Sequence, residues 1–309
     1  MCKKPILSVR DLSVSFHMYE RGFEQYDLKV ISNLTLDVCP GEIVAIAGSS
    51  GSGKSLLAHA VMGLLPENAS QTGDIFYNGR KLAKKDKETM RGKELALIPQ
   101  SVAYLDPLMR VGAQVRGAHA PKEKGTMQKK IFKRLGLPPN TENLYPFQLS
   151  GGMARRVLVS TAVLSNASVV IADEPTPGMD LASAAEALKI FRELADEGKA
   201  IVLITHDIDL AFHVADRIAV FYAGTTVEIT DTKDFIKGPA ALRHPYSKAL
   251  WEALPQNGFK PIPGFQPYAG NLPKGCLFSP RCPHKTKDCE NEIPMRLIRG
   301  GYVRCIHAD

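Results

Sequence analysis

Residues 43–65, IVAIAGSSGSGKSLLAHAVMGLL, decide the fold. They begin with a continuous apolar run, residues 43–47, of the kind that is buried on both faces of a parallel sheet. Glycines and serines follow at once, and then a helical pattern over residues 55–65. The segment that joins them, residues 48–55, fits the pattern G-x-x-x-x-G-K-S/T. The sequence therefore predicts a phosphate-binding loop there, which we call the phosphate loop.

The phosphate loop supplies both backbone and side-chain ligands. Its glycines let N–H groups converge on phosphate oxygens at a helix N-terminus, where unpaired donors favour an anion. Lys54 is expected to reach the β- and γ-phosphates, and the Ser55 hydroxyl to hold Mg²⁺. The predicted nucleotide-binding residues of this segment are Gly48, Ser49, Ser50, Gly51, Ser52, Gly53, Lys54, Ser55 and Leu56.

The remaining chain predicts an α/β fold. Residues 169–172 and 201–204 are again apolar runs, and a helical segment, 181–197, separates them, which is typical of a parallel sheet. Short alternating segments between residues 6 and 38 predict an antiparallel layer before the phosphate loop. Residues 101–166 have helical stretches and Pro/Gly breaks, so we expect a helical insertion.

Two carboxylate side chains follow the predicted strand at 169–172. Asp173 and Glu174 stand where that strand ends, at the edge of the sheet that also carries the phosphate loop. A nucleoside triphosphatase needs a carboxylate on its metal and a group that orients water. Asp173 is the expected Mg²⁺ partner and Glu174 the expected general base.

The composition is that of a folded protein of 309 residues, 44% hydrophobic and 23% charged, which excludes disorder for most of the chain. The 39 Lys and Arg exceed the 32 Asp and Glu by 7, a mild excess that alone does not indicate nucleic acid. The longest nearly apolar stretch, residues 157–172, contains five polar residues and is shorter than the about 20 residues of a membrane span. Because no apolar signal segment follows Lys3 and Lys4, we expect a cytoplasmic location.

Three further motifs bring a resemblance to a known family. Residues 149–153 read LSGGM, Gln100 ends a predicted strand at 95–99, and His206 ends another at 204–205. With the phosphate loop and Asp173-Glu174, they resemble the signature segment, Q-loop and switch histidine of the ATP-binding cassette (ABC) ATPases, over essentially the whole chain. The resemblance implies a P-loop ATPase core of residues 1–100 and 167–238, including the antiparallel layer, and a helical subdomain of residues 101–166.

The resemblance also implies an ATP site shared by two chains. Ser150, Gly151 and Gly152 would form a second anion cradle that closes on ATP held by a partner cassette. Glu174 would polarise the attacking water, His206 would bond the γ-phosphate, and Gln100 would contact Mg²⁺ or the water. Lys54 completes the catalytic set. An aromatic residue before the core stacks on adenine in this family, and Phe16 fits that position best.

The C-terminal residues 239–309 narrow the resemblance. They contain ten of the chain's 21 prolines, the segment HPYSKAL at 244–250 and the segment GCLFSPRCP at 275–283. These resemble the end of the oligopeptide, dipeptide and nickel importer ATPases. The resemblance implies the ATPase of an importer for peptides, nickel or a related small solute. It would sit peripherally on the cytoplasmic membrane face with a second cassette, identical or homologous, two transmembrane permease subunits and an extracytoplasmic solute-binding protein.

Four thiols crowd the same region at Cys276, Cys282, Cys289 and Cys305. A proline-rich segment too poor in apolar residues for a core of its own is expected to fold around a metal. The spacing does not choose the metal. The family resemblance favours a [4Fe–4S] cluster over zinc or free thiols, and His284 and His307 are the substitute ligands for zinc.

Two other functions compete with import. One is a non-transport ABC ATPase that acts on nucleic acid or the ribosome, which the single cassette and the importer-type C-terminal segments disfavour. The other is a regulator with an inactive ATP site. Three departures from the family pattern are residues 176–180, TPGMD; Ala154-Arg155-Arg156 after the signature segment; and the shortened segment 101–107, where a permease is expected to dock.

Overall fold

A computed structural model describes residues 4–19, 24–49, 51–117 and 122–309. Its strands are β1 Leu7–Tyr19, β2 Gln25–Val38, β3 Ile43–Gly48, β4 Ala69–Tyr77, β5 Arg80–Lys81, β6 Leu95–Ile98, β7 Val169–Asp173, β8 Ala200–Thr205, β9 Arg217–Tyr222, β10 Thr225–Asp231, β11 Arg296–Ile298 and β12 Gly301–Val303. Its helices are α1 Lys54–Met62, α2 Lys84–Met90, α3 Val111–Arg116, α4 Lys122–Arg134, α5 Gly151–Val163, α6 Leu181–Asp196, α7 Ile208–Phe212, α8 Thr232–Lys237 and α9 Pro245–Glu252.

The strands form two sheets. One is antiparallel, in the order β2-β1-β4-β5; β1 and β2 confirm the predicted layer before the phosphate loop, and β4 and β5, which follow the loop in the chain, complete the sheet. The other has the order β11-β12-β10-β9-β3-β8-β7-β6 and is parallel from β9 to β6. Strands β3, β7 and β8 are buried along their whole length, as their unbroken apolar sequences predict. The predicted α/β fold with an antiparallel layer is confirmed.

The parallel strands align their carboxyl ends at one edge of the sheet. Ala47 pairs with Thr205, and Asp173 pairs with Ile204, so β3, β7 and β8 end side by side. The phosphate loop leaves β3 at this edge, and His206 follows β8 there. Register alone therefore gathers the predicted catalytic residues from distant parts of the chain.

Helix α5, which lies between β6 and β7 in the chain, packs against β6. Buried residues of α5 include Ala154, Val157 and Leu158, which join the same apolar core as Phe132 and Leu135. Helix α5 begins after Ser150, whose Oγ accepts a hydrogen bond from Met153 N at 3.3 Å. This N-cap fixes the start of the signature helix.

Residues 239–309 pack against the apolar core of the rest of the chain and do not form a separate apolar core. The β11–β12 hairpin extends the main sheet, with Val303 paired to Glu228 of β10. Tyr246 and Phe278 pack against Tyr222 of β9 at ring-centroid distances of 4.5 and 5.3 Å. A segment with few apolar residues is stabilised here by burying them in the core of the ATPase. We refer to residues 239–309 as the C-terminal extension.

Within the described ranges, no helix is both long and apolar enough to span a membrane.

Candidate active site

The phosphate loop is shaped by close backbone contacts. A Cβ atom at Gly48 would lie 2.4 Å from the Phe221 carbonyl oxygen, and Gly53 has φ +94°, so both positions require glycine. Lys54 is 7% exposed, and its Nζ donates to the carbonyl oxygens of Gly48 and Ser49 at 2.9 Å each. Burial lowers the pKa of Lys54, while the charges of Glu174 and Asp173 oppose that shift. Ser50, also predicted to bind nucleotide, lies outside the described residues.

Asp173 offers a carboxylate suited to Mg²⁺. It is 2% exposed, and its Oδ1 has no hydrogen-bond partner among the described residues. Burial raises the pKa of this carboxyl, and a hydrogen bond with Ser55 opposes the shift. An unpaired buried carboxylate oxygen beside a hydroxyl is a costly arrangement unless something else binds there, and hard oxygen ligands are those that Mg²⁺ prefers. The predicted pair of Ser55 and Asp173 therefore fits Mg²⁺.

Glu174 and His206 are in contact at the same edge of the sheet, where the parallel strands end. Glu174 adopts φ +50°, a strained conformation for a residue with a side chain, and its N–H donates to Ile204 O at 2.9 Å. Its Oε2 lies 2.7 Å from His206 Nδ1. The strained backbone thus aims the carboxylate at the switch histidine, where a general base is expected.

One cavity of about 760 Å³ is bordered by many of the predicted residues. It is lined by Val30, Gly51, Ser52, Gly53, Lys54, Ser55, Leu56, Gln100, Arg155, Glu174, Pro177 and His206. Lys54, Gln100, Glu174 and His206, the four residues predicted to be catalytic, all border it, and we call it the nucleotide cavity. A polyphosphate seated on the phosphate loop would have both a general base and a hydrogen-bonding histidine within the same space.

The lining of this cavity does not include seven of the predicted ligands: Gly48, Ser49, Asp173, Phe16, Ser150, Gly151 and Gly152. Phe16 is half-buried against the antiparallel layer, and Val30 of the neighbouring strand β2 borders the nucleotide cavity. Ser150 and Gly151 are exposed at the start of α5, outside the cavity. A Cβ atom at Gly152 would lie 2.6 Å from the Gly178 carbonyl oxygen, so the unusual segment 176–180 packs directly against the signature helix.

Arg155 borders the nucleotide cavity although no role was predicted for it. It is 9% exposed, Nη1 donates to Pro99 O at 3.0 Å, and Nε has no partner among the described residues. Burial lowers the pKa of its guanidinium, and the charges of Asp173 and Glu174 oppose the shift. The sequence signal for Arg155 was the departure from the family pattern at residues 154–156. That departure did not show that the Arg155 side chain borders the cavity.

The four cysteines of the C-terminal extension are free thiols in this structure. Burial raises the pKa of the Cys276 thiol to about 11, and the nearby Cys305, Cys282 and Cys289 add to the shift. Across the described ranges, however, no group of three or more His, Cys, Asp or Glu side chains is arranged to hold a metal ion. The geometry therefore gives no support for the predicted metal site.

Comparisons with known proteins agree with this site. A family model described as ABC transporter matches residues 31–177, and one described as the C-terminal region of oligopeptide/dipeptide transporters matches residues 227–289. The oligopeptide transport ATP-binding protein OppD of Salmonella typhimurium is 34% identical, over 97% of this chain and 92% of its own. The dipeptide transport ATP-binding protein DppD of Escherichia coli is 35% identical, over 97% and 96%.

A solved structure extends the agreement to three dimensions. The dimeric structure of MJ0796, a bacterial ABC transporter cassette, matches with a TM-score of 0.64 at 26% identity, over 73% of this chain and 98% of that one. The sequence matches and the shared architecture lead to one conclusion. This chain belongs to the ABC transporter family, in its branch of oligopeptide and dipeptide transport ATP-binding proteins.

Proposed function

We propose that this ABC ATPase is the subunit that powers the import of short peptides. The observation that carries the proposal is the nucleotide cavity, in which Lys54, Gln100, Glu174 and His206 surround one space, in a chain whose C-terminal extension matches the peptide transporter model. The names of both relatives reported above refer to peptides and neither refers to nickel. We therefore propose peptides, and not nickel, as the transported solute.

ATP binding would begin at the phosphate loop. Lys54 is held by the carbonyl oxygens of Gly48 and Ser49, and a triphosphate offers its ammonium group a stronger, charged acceptor. Ser55, Asp173 and Gln100 are the residues that would hold Mg²⁺, which neutralises charge on the β- and γ-phosphates. The desolvated Lys54 interacts more strongly with a phosphate than an exposed lysine does, because local screening is weaker.

Hydrolysis would then depend on Glu174. Glu174 borders the cavity and its carboxylate contacts His206, and in the proposed complex it would face the γ-phosphate of ATP. We infer that Glu174 accepts the proton of a water that attacks the γ-phosphorus in line, as the bond to the β-phosphate oxygen breaks. His206 is 64% exposed at its side chain, so it remains available to bond a γ-phosphate oxygen when one is present.

The signature segment would act on another chain's nucleotide. Ser150 and Gly151, at the start of the 13-residue helix α5, are exposed and do not border their own nucleotide cavity. A helix N-terminus with a serine hydroxyl favours an anion, and the γ-phosphate of ATP on a partner cassette provides one. ATP would thereby join two cassettes, identical or homologous, and its hydrolysis would release them.

The proposed assembly has two transmembrane permease subunits, a second cassette and an extracytoplasmic solute-binding protein, with this chain on the cytoplasmic membrane face. Nothing in the comparisons supports action on nucleic acid or the ribosome. To test the proposal, the chain is purified from membranes and its ATPase activity is measured in vesicles with and without binding protein and peptide. We expect copurifying permeases and peptide-stimulated hydrolysis. Activity stimulated by nucleic acid in a preparation without membrane proteins would contradict the proposal.

We further propose that Cys276, Cys282, Cys289 and Cys305 bind a [4Fe–4S] cluster, with zinc as the alternative. The support is chemical: four thiols lie in one short extension, and the pKa of Cys276 is raised partly by the other three, so a cation among them would stabilise their thiolates. Anaerobically purified protein is expected to contain about four iron atoms and to absorb broadly near 400 nm. Stoichiometric zinc supports the alternative, and protein with neither metal contradicts both.

A further inference from the structure

The C-terminal extension reaches the phosphate loop. Ser49 is the second residue of that loop, and its Oγ donates a hydrogen bond to Gln266 Oε1 at 2.5 Å. Gln266 lies 217 residues further along the chain. The two residues border a cavity of about 360 Å³, which is distinct from the nucleotide cavity although His206 borders both.

A buried cluster of three aromatic side chains lies next to this contact. Tyr246 is 2% exposed and packs against Tyr222 and Phe278. Tyr246 borders the same cavity as Ser49 and Gln266, and burial raises the pKa of its hydroxyl. Three large, fully buried rings have little rotational freedom, so this aromatic cluster provides a rigid surface beside the phosphate loop.

Arg281 fastens the segment that carries Gln266. Its Nε donates to Pro263 O at 2.7 Å and its Nη2 to Ile262 O at 2.9 Å. The same guanidinium reaches the Tyr222 hydroxyl at 3.3 Å. The guanidinium presents its hydrogen-bond donors in one fixed plane. These contacts therefore hold residues 262–263 against the aromatic cluster. Gln266 follows three residues later and is thereby kept beside Ser49.

We propose that Gln266 is a positioning residue of the ATP site, through which the C-terminal extension holds the phosphate loop in shape for ATP. Ser49 is bonded on both sides, since its carbonyl oxygen accepts from Lys54 while its side chain donates to Gln266. A loop that is ordered before binding loses less conformational entropy when its N–H groups close on phosphate. Gln266 does not border the nucleotide cavity, so it acts on ATP affinity and not on the chemical step.

The test is steady-state hydrolysis of MgATP by the complete transporter. Replacing Gln266→Ala is expected to raise KM for MgATP about 3- to 10-fold, the range of one lost hydrogen bond, with kcat within about 2-fold of the unaltered value. The matched control is Gln256→Ala, a second glutamine of the extension, whose amide donates to Asp209. We expect no change of KM in the control. Thermal unfolding of each variant separates a local effect from loss of fold.

A double replacement decides whether Gln266 acts through Ser49. Ser49→Ala is expected to raise KM, and Ser49→Ala combined with Gln266→Ala to raise it no further than the larger single effect. An unchanged KM in Gln266→Ala, or effects that multiply fully in the double variant, would overturn the inference. The inference rests on the ATP site proposed above, and hydrolysis by the unaltered transporter in the same assay tests that site separately.

Discussion

Replacing Glu174→Gln is expected to reduce kcat for ATP hydrolysis by at least about 100-fold while ATP binding is retained. The amide has nearly the same shape, and its oxygen can still accept a hydrogen bond from His206, which lies 2.7 Å from the carboxylate. It cannot accept a proton from water at neutral pH. ATP affinity should persist, because the phosphates are bound by the phosphate loop and Lys54. Steady-state hydrolysis and equilibrium binding of ATP measure the two effects.

Glu197→Gln is the matched control for this replacement. Glu197 is exposed at the end of α6, away from the nucleotide cavity, and we expect its replacement to leave kcat unchanged. If Glu174→Gln and the control turned over ATP equally, Glu174 would not be the general base. Absence of turnover by the unaltered chain as well as by both variants would support the alternative of a regulator with an inactive ATP site.

Replacing Ser150→Arg is expected to lower ATP hydrolysis by the assembled transporter about 100-fold or more, while the isolated chain binds ATP normally. Ser150 is exposed at the start of α5 and does not border the nucleotide cavity of its own chain. A long side chain there would fill the space that a partner's γ-phosphate is proposed to occupy. Ser150→Thr, which keeps a hydroxyl able to cap α5, is the control and should retain most activity.

Loss of ATP binding by the isolated Ser150→Arg chain would contradict this assignment, because it would place the signature segment in the chain's own ATP site. Circular dichroism and thermal unfolding distinguish that outcome from loss of the helix. Removal of the cap at α5 is expected to cost only about 1 kcal/mol of stability, which is too little to unfold the chain.

Local sequence patterns predicted the core of the fold because the decisive interactions there are local or follow from strand register. The apolar run before Gly48 and the run before Asp173 both form buried parallel strands, as predicted. Parallel pairing then aligns the strand ends. Lys54 and Glu174 could thus be assigned to one site from local patterns, whereas His206 was assigned to it through the family resemblance.

Other features depend on contacts that no local pattern encodes. The bond between Ser49 and Gln266 joins residues 217 positions apart, and the C-terminal hairpin pairs Val303 with Glu228. Arg155 faces the nucleotide cavity only because α5 is rotated to place it beside Pro99. These arrangements are set by tertiary packing, so the sequence gave no sign that the C-terminal extension contacts the ATP site.

Cryo-electron microscopy of the Glu174→Gln transporter with MgATP tests the central claim most directly. The quantity to measure is the distance from Ser150 Oγ to the γ-phosphate oxygens of the nucleotide held by the opposite cassette. We predict paired cassettes with this distance at about 3 Å, the length of a hydrogen bond. Separated cassettes with ATP bound at Lys54 alone, and with Ser150 in contact with solvent, would contradict the claim.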